Sequence, residues 1–404
     1  MNRRVLIIGG SLAGLMAGNL FHRRGWEVQV FERASGDLEG RGAGITILPG
    51  LVSGFQAAGA DETEESLGIL LRERIALDLA GNVLAERPFA QAMTSWGRLY
   101  ESLRKIFPSR NYHGGATLER VEQDANTVSA VFQDGRRASA DLLIGADGSR
   151  STVRRQFLPE LKPHYARYIA WRCLTDESAL DAGKFARLLD CYAVCVAPGQ
   201  QGIAYPVPGP DHSRQPGRRQ YNVVWYFPVR EADELPRFMT DDEGRYHPNG
   251  VPPALLSQRV RSEMVENAQR VLAPQFAEAI RTARMHFFQP ILDIEPQRLV
   301  FGRVAIIGDA AFVTRPHVAM GVPKGTGDAL ALAQSLDDSD DLPQALERFE
   351  AQRLRTGRSI VARGRYLGRY MEAQGGTDAQ RAAAERERVP LQVMQETAAP
   401  YDYA

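Results

Sequence analysis

A stretch near the start of the chain, from Val5 to Arg33, constrains the fold more than any other feature. Residues 5–8 form a continuous apolar run that is typical of a fully buried strand, and the run ends at a glycine-rich turn over residues 9–14. A helical pattern follows, and the alternating residues 27–31 predict a second strand that ends at Glu32. This order of strand, tight turn, helix, strand and acid predicts a dinucleotide-binding unit.

The turn matches the dinucleotide-binding pattern with one substitution. Its amides and the helix N-terminus suit a pyrophosphate, because the positive end of the helix dipole favours negative charge. Ser11 replaces the middle glycine, but serine is small and can donate its hydroxyl. Glu32 follows Gly14 by 18 positions, close to the spacing of about 20 expected of a carboxylate that binds ribose hydroxyls. A purely structural glycine turn between a strand and a helix would look similar.

Composition excludes several classes of function. The 404 residues carry 49 basic and 49 acidic side chains, so no net charge attracts nucleic acid or an anionic membrane. The sequence contains no run of 18 apolar residues, so we expect no membrane span. The cysteines, Cys173, Cys191 and Cys195, form neither a metal-ligand set nor an even disulfide framework. We therefore expect no metal, and we expect reduced cysteines in a cytoplasmic protein.

Two later stretches repeat the motif of a buried strand that ends in Gly and Asp. The strand before Gly145 leads into an Asp147-Gly148 turn, and a helix is predicted behind Ser149 or Ser151. The strand over 304–307 ends at Gly308-Asp309, and a helix is predicted from about Thr326 to Leu336. An aspartate on such a turn either binds a ligand or bonds the amides of its own loop.

Segments between these motifs complete the predicted layout. Residues 36–50 form a glycine-rich loop in which Arg41 meets a phosphate or is solvated, and residues 51–67 are predicted to be one helix. Strand-like segments dominate residues 160–290, which predicts a sheet-rich domain inserted into the nucleotide-binding one. Residues 342–370 predict a long helix whose arginines form a solvated face with ion pairs.

The predicted domains follow from this layout. We assign a discontinuous cofactor-binding domain, an inserted substrate-binding domain and a C-terminal helical segment. Their residues are 1–70, 96–160 and 285–345 for the first, 71–95 and 161–284 for the second, and 346–404 for the third.

Taken together, the three glycine-containing signals resemble the aromatic-hydroxylase class of FAD-dependent monooxygenases, the relatives of 4-hydroxybenzoate hydroxylase. The resemblance covers most of the chain and implies an α/β fold with a Rossmann-like FAD-binding domain. Four shorter stretches are similar to the dihydroxypyridine hydroxylase subgroup of this family. They are Trp171-Arg172, residues 204–209, Trp225-Tyr226 and residues 315–317.

The resemblance also implies the residues that bind non-covalent FAD. The first turn and the acid after the second strand would bind the ADP half, Arg98 would contact the flavin nucleotide, and Asp147 would serve both flavin and nicotinamide. Asp309 would hold the ribityl chain, and residues 316–322 would pass along the isoalloxazine. The predicted cofactor-binding residues are Gly9, Ser11, Leu12, Ala13, Gly14, Glu32, Arg33, Gly44, Arg98, Asp147, Asp309, Pro316, Gly321 and Val322.

Two departures from the family pattern concern the flavin ring. Phe312 stands where many relatives have histidine, and residues 321–325 replace the usual Gly-Gln-Gly-x-Asn. The subgroup shares a lysine at Lys324, so both departures favour the subgroup. The donors to the flavin O2 and N1 region stay open, and amides near Gly321 at the following helix N-terminus are the expected ones.

By resemblance, NAD(P)H visits the flavin transiently, and reduced flavin reacts with O2 to give a C4a-hydroperoxide that hydroxylates an electron-rich ring. A base with a pKa near neutrality would activate a phenol-like substrate, such as a hydroxypyridine. The candidates are His317, which titrates in the useful range, and Tyr205 and Tyr226, which could equally be packing residues.

Other functions were compared with hydroxylation. A flavin-dependent halogenase is excluded because its Trp-x-Trp-x-Ile-Pro motif is absent from the sequence. An FAD-dependent oxidase or dehydrogenase stays open, and so does a non-catalytic flavin-binding protein. The expected partners are a small aromatic substrate and O2, and the family implies a homodimer; the sequence does not decide between NADH and NADPH.

Overall fold

The computed structural model describes residues 3–36, 38 and 43–403, in which strands and helices alternate. The strands are β1 (Arg4–Ile8), β2 (Glu27–Phe31), β3 (Gly44–Ile47), β4 (Ile69–Leu77), β5 (Val83–Ser95), β6 (Tyr112–His113), β7 (Leu118–Gln123), β8 (Val128–Phe132), β9 (Arg137–Ala140), β10 (Leu142–Gly145), β11 (His164–Asp176), β12 (Cys191–Cys195), β13 (Gln201–Val207), β14 (Gln220–Pro228), β15 (Met285–Asp293), β16 (Val300–Phe301) and β17 (Val304–Ile306). The α-helices are α1 (Leu12–Arg23), α2 (Leu51–Ala57), α3 (Glu64–Leu67), α4 (Trp96–Ile106), α5 (Thr152–Phe157), α6 (Ala182–Phe185), α7 (Glu234–Phe238), α8 (Gln258–Val271), α9 (Pro274–Thr282), α10 (Gly321–Asp337), α11 (Leu342–Glu372), α12 (Asp378–Glu387) and α13 (Pro390–Glu396).

The first sheet contains the strands that end at the three glycine-containing turns. Its order is β16-β17-β10-β1-β2-β6, and β1 pairs in parallel with β2 and β10, while β10 pairs in parallel with β17. Helix α1 packs on β2 and α10, and the small β7-β8-β9 sheet contacts β1 and β10. Because the carboxyl ends of neighbouring parallel strands share one edge, the turns after β1, β10 and β17 lie together.

The second sheet has the order β15-β11-β14-β13-β12-β4-β5-β3 and is antiparallel except where β12 pairs with β4. Its strands are rich in aromatic and β-branched residues, which pack well on a pleated surface. The predicted α/β architecture of a mostly parallel sheet, a second sheet and C-terminal helices is confirmed. None of the described helices is long and apolar enough to cross a bilayer.

Strand pairing differs from the predicted domain layout at two places. β3 pairs with β5 and β15 pairs with β11, so residues 44–47 and 285–293 belong to the second sheet. The exact domain boundaries stay a prediction. The sequence analysis placed residues 44–47 in a glycine-rich loop and assigned no strand to residues 285–293, because the pairing that defines both strands joins residues far apart in the chain.

Two helix predictions were wrong in their bounds. The helix expected over 51–67 is split into α2 and α3, since Gly59 adopts φ +98° and Thr63 caps a new helix with its side chain. The helix expected from Thr326 begins at Gly321 instead. Pro323 lies in its first turn, where the missing N–H removes no helical hydrogen bond.

The prediction that the arginines of residues 342–370 form a solvated face is only partly correct. Arg355, Arg358 and Arg365 are exposed, whereas Arg353 is 8% exposed. The Nε of Arg353 donates to the Asp328 carboxylate at 2.6 Å, so this ion pair links α11 to α10.

Candidate active site

The three turns open into one cavity of about 670 Å³ between the two sheets. The predicted cofactor-binding residues that line it are Gly9, Ser11, Leu12, Ala13, Glu32, Arg33, Gly44, Asp147, Asp309, Pro316, Gly321 and Val322. Tyr205 and Tyr226 line it from the second sheet. Gly14, Arg98 and His317 are not part of its wall, while Arg41 lies outside the described residues.

The first turn brings backbone close to backbone. Gly9 has φ +105°, and a Cβ there would overlap the Ala146 carbonyl oxygen, while a Cβ at Gly14 would overlap the Gly9 oxygen. Gly14 thus closes the turn rather than lining the cavity. Ser11 is the N-cap of α1 without a side-chain cap bond, and the first helical turn carries no acid. The leading amides of α1 are therefore available to an anion.

Glu32 connects the end of β2 to the first turn. Its carboxylate accepts hydrogen bonds from the amides of Gly10 at 2.8 Å and Ala34 at 3.0 Å. The residue is 7% exposed and still forms part of the cavity wall. Its predicted role at a ribose stays a prediction, and its bond to Gly10 shows that it also holds the glycine turn.

Asp147 lies half-buried after β10. One carboxylate oxygen accepts the amides of Thr152 at 2.6 Å and Val153 at 3.2 Å, which places it at the start of α5. The other oxygen is buried and has no hydrogen-bond partner among the described residues. Burial raises the pKa of this carboxyl group. Asp147 therefore bonds its own loop, as the first sequence alternative held, and its second oxygen leaves the ligand-binding alternative as a prediction.

Arg154 joins the second and third turns. It is 3% exposed, and its guanidinium donates to the carbonyl oxygens of Asp309 at 3.1 Å and Ala310 at 2.9 Å, and also to the Ser149 oxygen. One buried cation thus holds both aspartate turns at the same edge of the sheet.

Helix α10 presents its N-terminus to the cavity beside Asp309. Its N-cap, Met320, makes no side-chain cap bond, and Gly321 and Val322 line the cavity. Lys324 is 1% exposed, and its Nζ lies 3.4 Å from an Asp309 carboxylate oxygen. The earlier helix start makes the amides near Gly321 the helix N-terminus itself, which favours a developing negative charge.

The second sheet lines its part of the cavity with Arg172, Tyr205 and Tyr226 beside apolar side chains such as Ile203 and Val224. Arg172 donates to the Gly44 carbonyl oxygen at 3.0 Å, and the Asn222 oxygen accepts the Gly44 amide at 3.1 Å. The Arg172 Nε and the Asn222 Nδ2 are buried without partners among the described residues. A Cβ at Gly44 would overlap the ring of Tyr205, so this glycine permits close contact between the start of β3 and β13.

The prediction that His317 is a cavity base with a near-neutral pKa was wrong. The residue is fully buried, and its Nε2 lies 3.0 Å from the Tyr168 hydroxyl. Burial, with a smaller contribution from Arg315, lowers the pKa of His317 to about 3. Its ring packs on that of Tyr226, with centroids 4.0 Å apart, so His317 supports a cavity residue from behind.

Arg98 also differs from its predicted role. Its Nη2 lies 2.9 Å from both carboxylate oxygens of Glu62, and the residue is not part of the cavity wall. Sequence reasoning missed Arg154, Arg172 and Asn222 as site residues. Arg172 lay within a stretch quoted above and Arg154 within the helix predicted behind Ser149 or Ser151, but nothing in a local pattern indicates which cation turns inward.

Three structural observations indicate that the cavity fits FAD. The first turn and α1 offer unblocked amides for a pyrophosphate, the free oxygen of Asp147 can accept a ligand hydrogen bond, and α10 points its N-terminus into the cavity. Glycines allow close approach of the backbone at Gly9 and Gly44. These features follow one another along a single continuous cavity.

Comparisons with known proteins agree with this fit. A family described as FAD binding domain-like matches residues 165–293. The 2,6-dihydroxypyridine 3-monooxygenase of Paenarthrobacter nicotinovorans is 30% identical over 372 residues, which cover 92% of this chain and 92% of that protein. The FAD-dependent urate hydroxylase of Klebsiella pneumoniae subsp. pneumoniae is 28% identical, covering 90% of this chain and 88% of that protein.

A solved structure matches at the level of the whole fold. The 2,6-dihydroxypyridine-3-hydroxylase from Arthrobacter nicotinovorans has a TM-score of 0.86 and 29% identity, covering 93% of this chain and 94% of that chain. The chain therefore belongs to the class A FAD-dependent aromatic monooxygenases. It is an oxidoreductase that uses FAD to hydroxylate a hydroxylated aromatic compound.

Proposed function

We propose that this monooxygenase hydroxylates a hydroxypyridine-like N-heterocycle, bound as its anion, with NAD(P)H as the electron donor and O2 as the oxygen source. The observation that carries the proposal is the group of three hydrogen-bond donors, Arg172, Tyr205 and Tyr226, that the second sheet brings to the cavity wall. Arg172 has no carboxylate partner among the described residues. An ionised hydroxypyridine presents oxygen and ring nitrogen acceptors that match these donors.

The tyrosines support binding of an anion rather than its formation. Burial raises the pKa of both Tyr205 and Tyr226, and the charge of Arg172 only partly offsets this effect. Both phenols are therefore protonated at neutral pH. Neither hydroxyl is bonded to another described residue, so each can donate to substrate oxygen.

Arg172 would favour the ionised form of the substrate, which is the more reactive form. Loss of a proton makes a hydroxylated ring more nucleophilic, and a fixed cation favours the ionised form. When bound, FAD supplies the redox chemistry and the activation of O2. The chain contributes position, exclusion of water and hydrogen bonds to the substrate oxygens.

The substrates of two relatives favour a nitrogen heterocycle. One acts on 2,6-dihydroxypyridine and the other on urate. A simple phenol is the second candidate class. An oxidase would consume NADH and release only hydrogen peroxide, so product analysis separates it from a hydroxylase.

The test compares wild-type holoenzyme with Arg172→Gln on 2,6-dihydroxypyridine, following NADH oxidation, KM and hydroxylated product. Glutamine keeps a donor for the Gly44 oxygen but removes the charge. A hydrogen bond to a charged group contributes about 1.5–3 kcal/mol, so we expect KM to rise about tenfold to hundredfold with FAD content unchanged.

Arg187→Gln is the matched control, because Arg187 pairs with Glu73 and Glu86 at an exposed position outside the cavity wall. It should leave KM unchanged. An equal effect of both substitutions would contradict the role of Arg172. Turnover of phenols but not hydroxypyridines would overturn the substrate class.

A further inference from the structure

The second sheet is covered at the cavity by a segment from near the end of the chain. Residues 390–398, which we name the closing segment, comprise α13 and the following Thr397 and Ala398. Thr397 and Ala398 line the same cavity as Arg172 and Tyr226. Met394 is 0% exposed, which shows that the segment is packed into the protein rather than lying on its surface.

Arg74 of β4 holds the closing segment through its backbone. Its guanidinium donates to the carbonyl oxygens of Met394 at 2.9 Å, Thr397 at 2.6 Å and Ala398 at 2.8 Å. It also donates to the Gln91 side-chain oxygen at 2.6 Å. Arg74 is 1% exposed and has no carboxylate partner among the described residues.

The charge of Arg74 therefore depends on the closing segment for its hydrogen bonds. A buried charge without partners is costly, and three of the four oxygens that bind this one are carbonyls of the segment. The guanidinium also lies 4.6 Å from the ring centroid of Tyr192, a cavity residue that stacks on Tyr205 with centroids 5.5 Å apart. Arg74 thus lies behind the cavity residues Tyr192 and Tyr205 and does not itself line the cavity.

The closing segment is bound on its other side to the turn that follows Arg315. The Ala398 amide donates to the His317 carbonyl oxygen at 2.7 Å, and the Thr397 hydroxyl accepts from the Gln201 side chain at 3.2 Å. Ala398 adopts φ +52°, a left-handed conformation that the surrounding bonds maintain. The segment consequently connects Arg74 and Gln201 of the second sheet to the turn that contains Pro316 and His317.

We infer that the closing segment is a wall of the substrate site, held in place by Arg74, and that it determines substrate affinity and the coupling of NADH oxidation to hydroxylation. A site closed to water limits side reactions of reactive intermediates. Release of the segment would open the cavity to solvent beside Tyr192 and Tyr226 without altering the first turn or Asp147. Arg74 acts as a positioning residue.

The experiment uses the FAD-loaded full chain and the variant Arg74→Met, which keeps the side chain long but removes the charge and its donors. Hydrogen–deuterium exchange on the substrate-free enzyme should show at least tenfold faster exchange in residues 390–398. With 2,6-dihydroxypyridine, KM should rise and a larger share of the NADH consumed should appear as hydrogen peroxide, while FAD content stays the same.

A second variant loosens the segment at its bond to His317 and leaves the Arg74 side chain unchanged. Ala398→Pro removes the amide that bonds His317 and cannot adopt φ +52°. It should reproduce the faster exchange and the loss of coupling. Arg369→Gln is the control, because Arg369 is only partly buried, pairs with Glu387 of α12 and does not line the cavity.

The outcomes separate the alternatives. Unchanged exchange and coupling in both variants would overturn the inference, as would a loss of FAD that fully accounts for the lost activity. Failure of the wild-type enzyme to hydroxylate 2,6-dihydroxypyridine would contradict the proposed substrate instead. The exchange measurement needs no substrate and would still decide whether Arg74 holds the segment.

Discussion

Buried cations organise the cavity at the scale of single residues, and each satisfies its charge differently. Arg154 bonds carbonyl oxygens of two turns, whereas Lys324 lies against the Asp309 carboxylate. Arg315 is 1% exposed and pairs with both Asp293 and Glu372. Removing the partner of a buried ion leaves an uncompensated charge, so these contacts hold the wall in one arrangement.

The neutral, buried His317 makes stability depend on pH. Its pKa is lowered from 6.5 to about 3 in the fold, so below pH 6.5 the unfolded chain binds a proton that the folded chain does not. Stability should therefore fall as pH decreases through 6.5. Between pH 7 and pH 5 this one group should remove about 2 kcal/mol of unfolding free energy.

Urea unfolding of wild type and His317→Gln at pH 7 and pH 5 measures this contribution. Glutamine does not titrate, so the variant should lose about 2 kcal/mol less than wild type over the interval. His22→Gln is the control, because His22 is exposed on α1. Equal pH dependence of His317→Gln and wild type would contradict a buried neutral imidazole.

At the scale of elements, the position of α10 determines the end of the cavity beside Asp309. Asp328 of α10 accepts the Gly308 amide at 2.8 Å and the Arg353 Nε at 2.6 Å. A Cβ at Gly308 would lie 2.9 Å from the Cβ of Ala13, so α1, α10 and the third turn meet closely. One carboxylate thus links the strand end, α10 and α11.

Replacing Arg353 tests this link. Arg353→Gln leaves the Asp328 carboxylate, whose side chain is 4% exposed, without its cation. We expect the free energy of unfolding to fall by about 3 kcal/mol and FAD affinity to weaken, because α10 loses its anchor. Chemical denaturation and fluorescence titration with FAD measure the two effects.

Arg348→Gln provides a comparison on the same helix, since Arg348 is exposed and its guanidinium donates to the side chain of Gln344. Its effect should stay within about 0.5 kcal/mol. If the two variants were equally stable, the buried pair would have no structural importance.

At the scale of the whole molecule, the two sheets meet around the cavity, so a ligand that fills it should stabilise the assembly. Binding to the folded state alone adds RT ln(1 + [L]/Kd) to the unfolding free energy. Raising free FAD from a hundredfold to a thousandfold excess over Kd should add about 1.4 kcal/mol, and removing FAD should lower Tm.

Riboflavin lacks the ADP half that the first turn is predicted to bind. At equal concentration it should shift Tm much less than FAD, as measured by differential scanning calorimetry of the apoprotein. Equal shifts from both ligands would show that the turn at Gly9 to Gly14 contributes nothing to binding.

Local sequence patterns determined the elements whose signals are local. The apolar runs predicted β1, β10 and β17, and the glycines and aspartates predicted the turns that line the cavity. These predictions succeeded because strand periodicity and turn conformation depend on residues that are neighbours in the chain. The family resemblance added the cofactor and the reaction class.

Only the tertiary structure decided which side chains meet. It buried His317 behind the cavity wall, paired Arg98 with Glu62, brought Arg172 to the cavity and placed the closing segment against Arg74. The bond from Arg74 to Thr397 spans 323 positions in the chain. Such contacts have no periodic signal, because burial and hydrogen-bond satisfaction are set by the whole packed molecule.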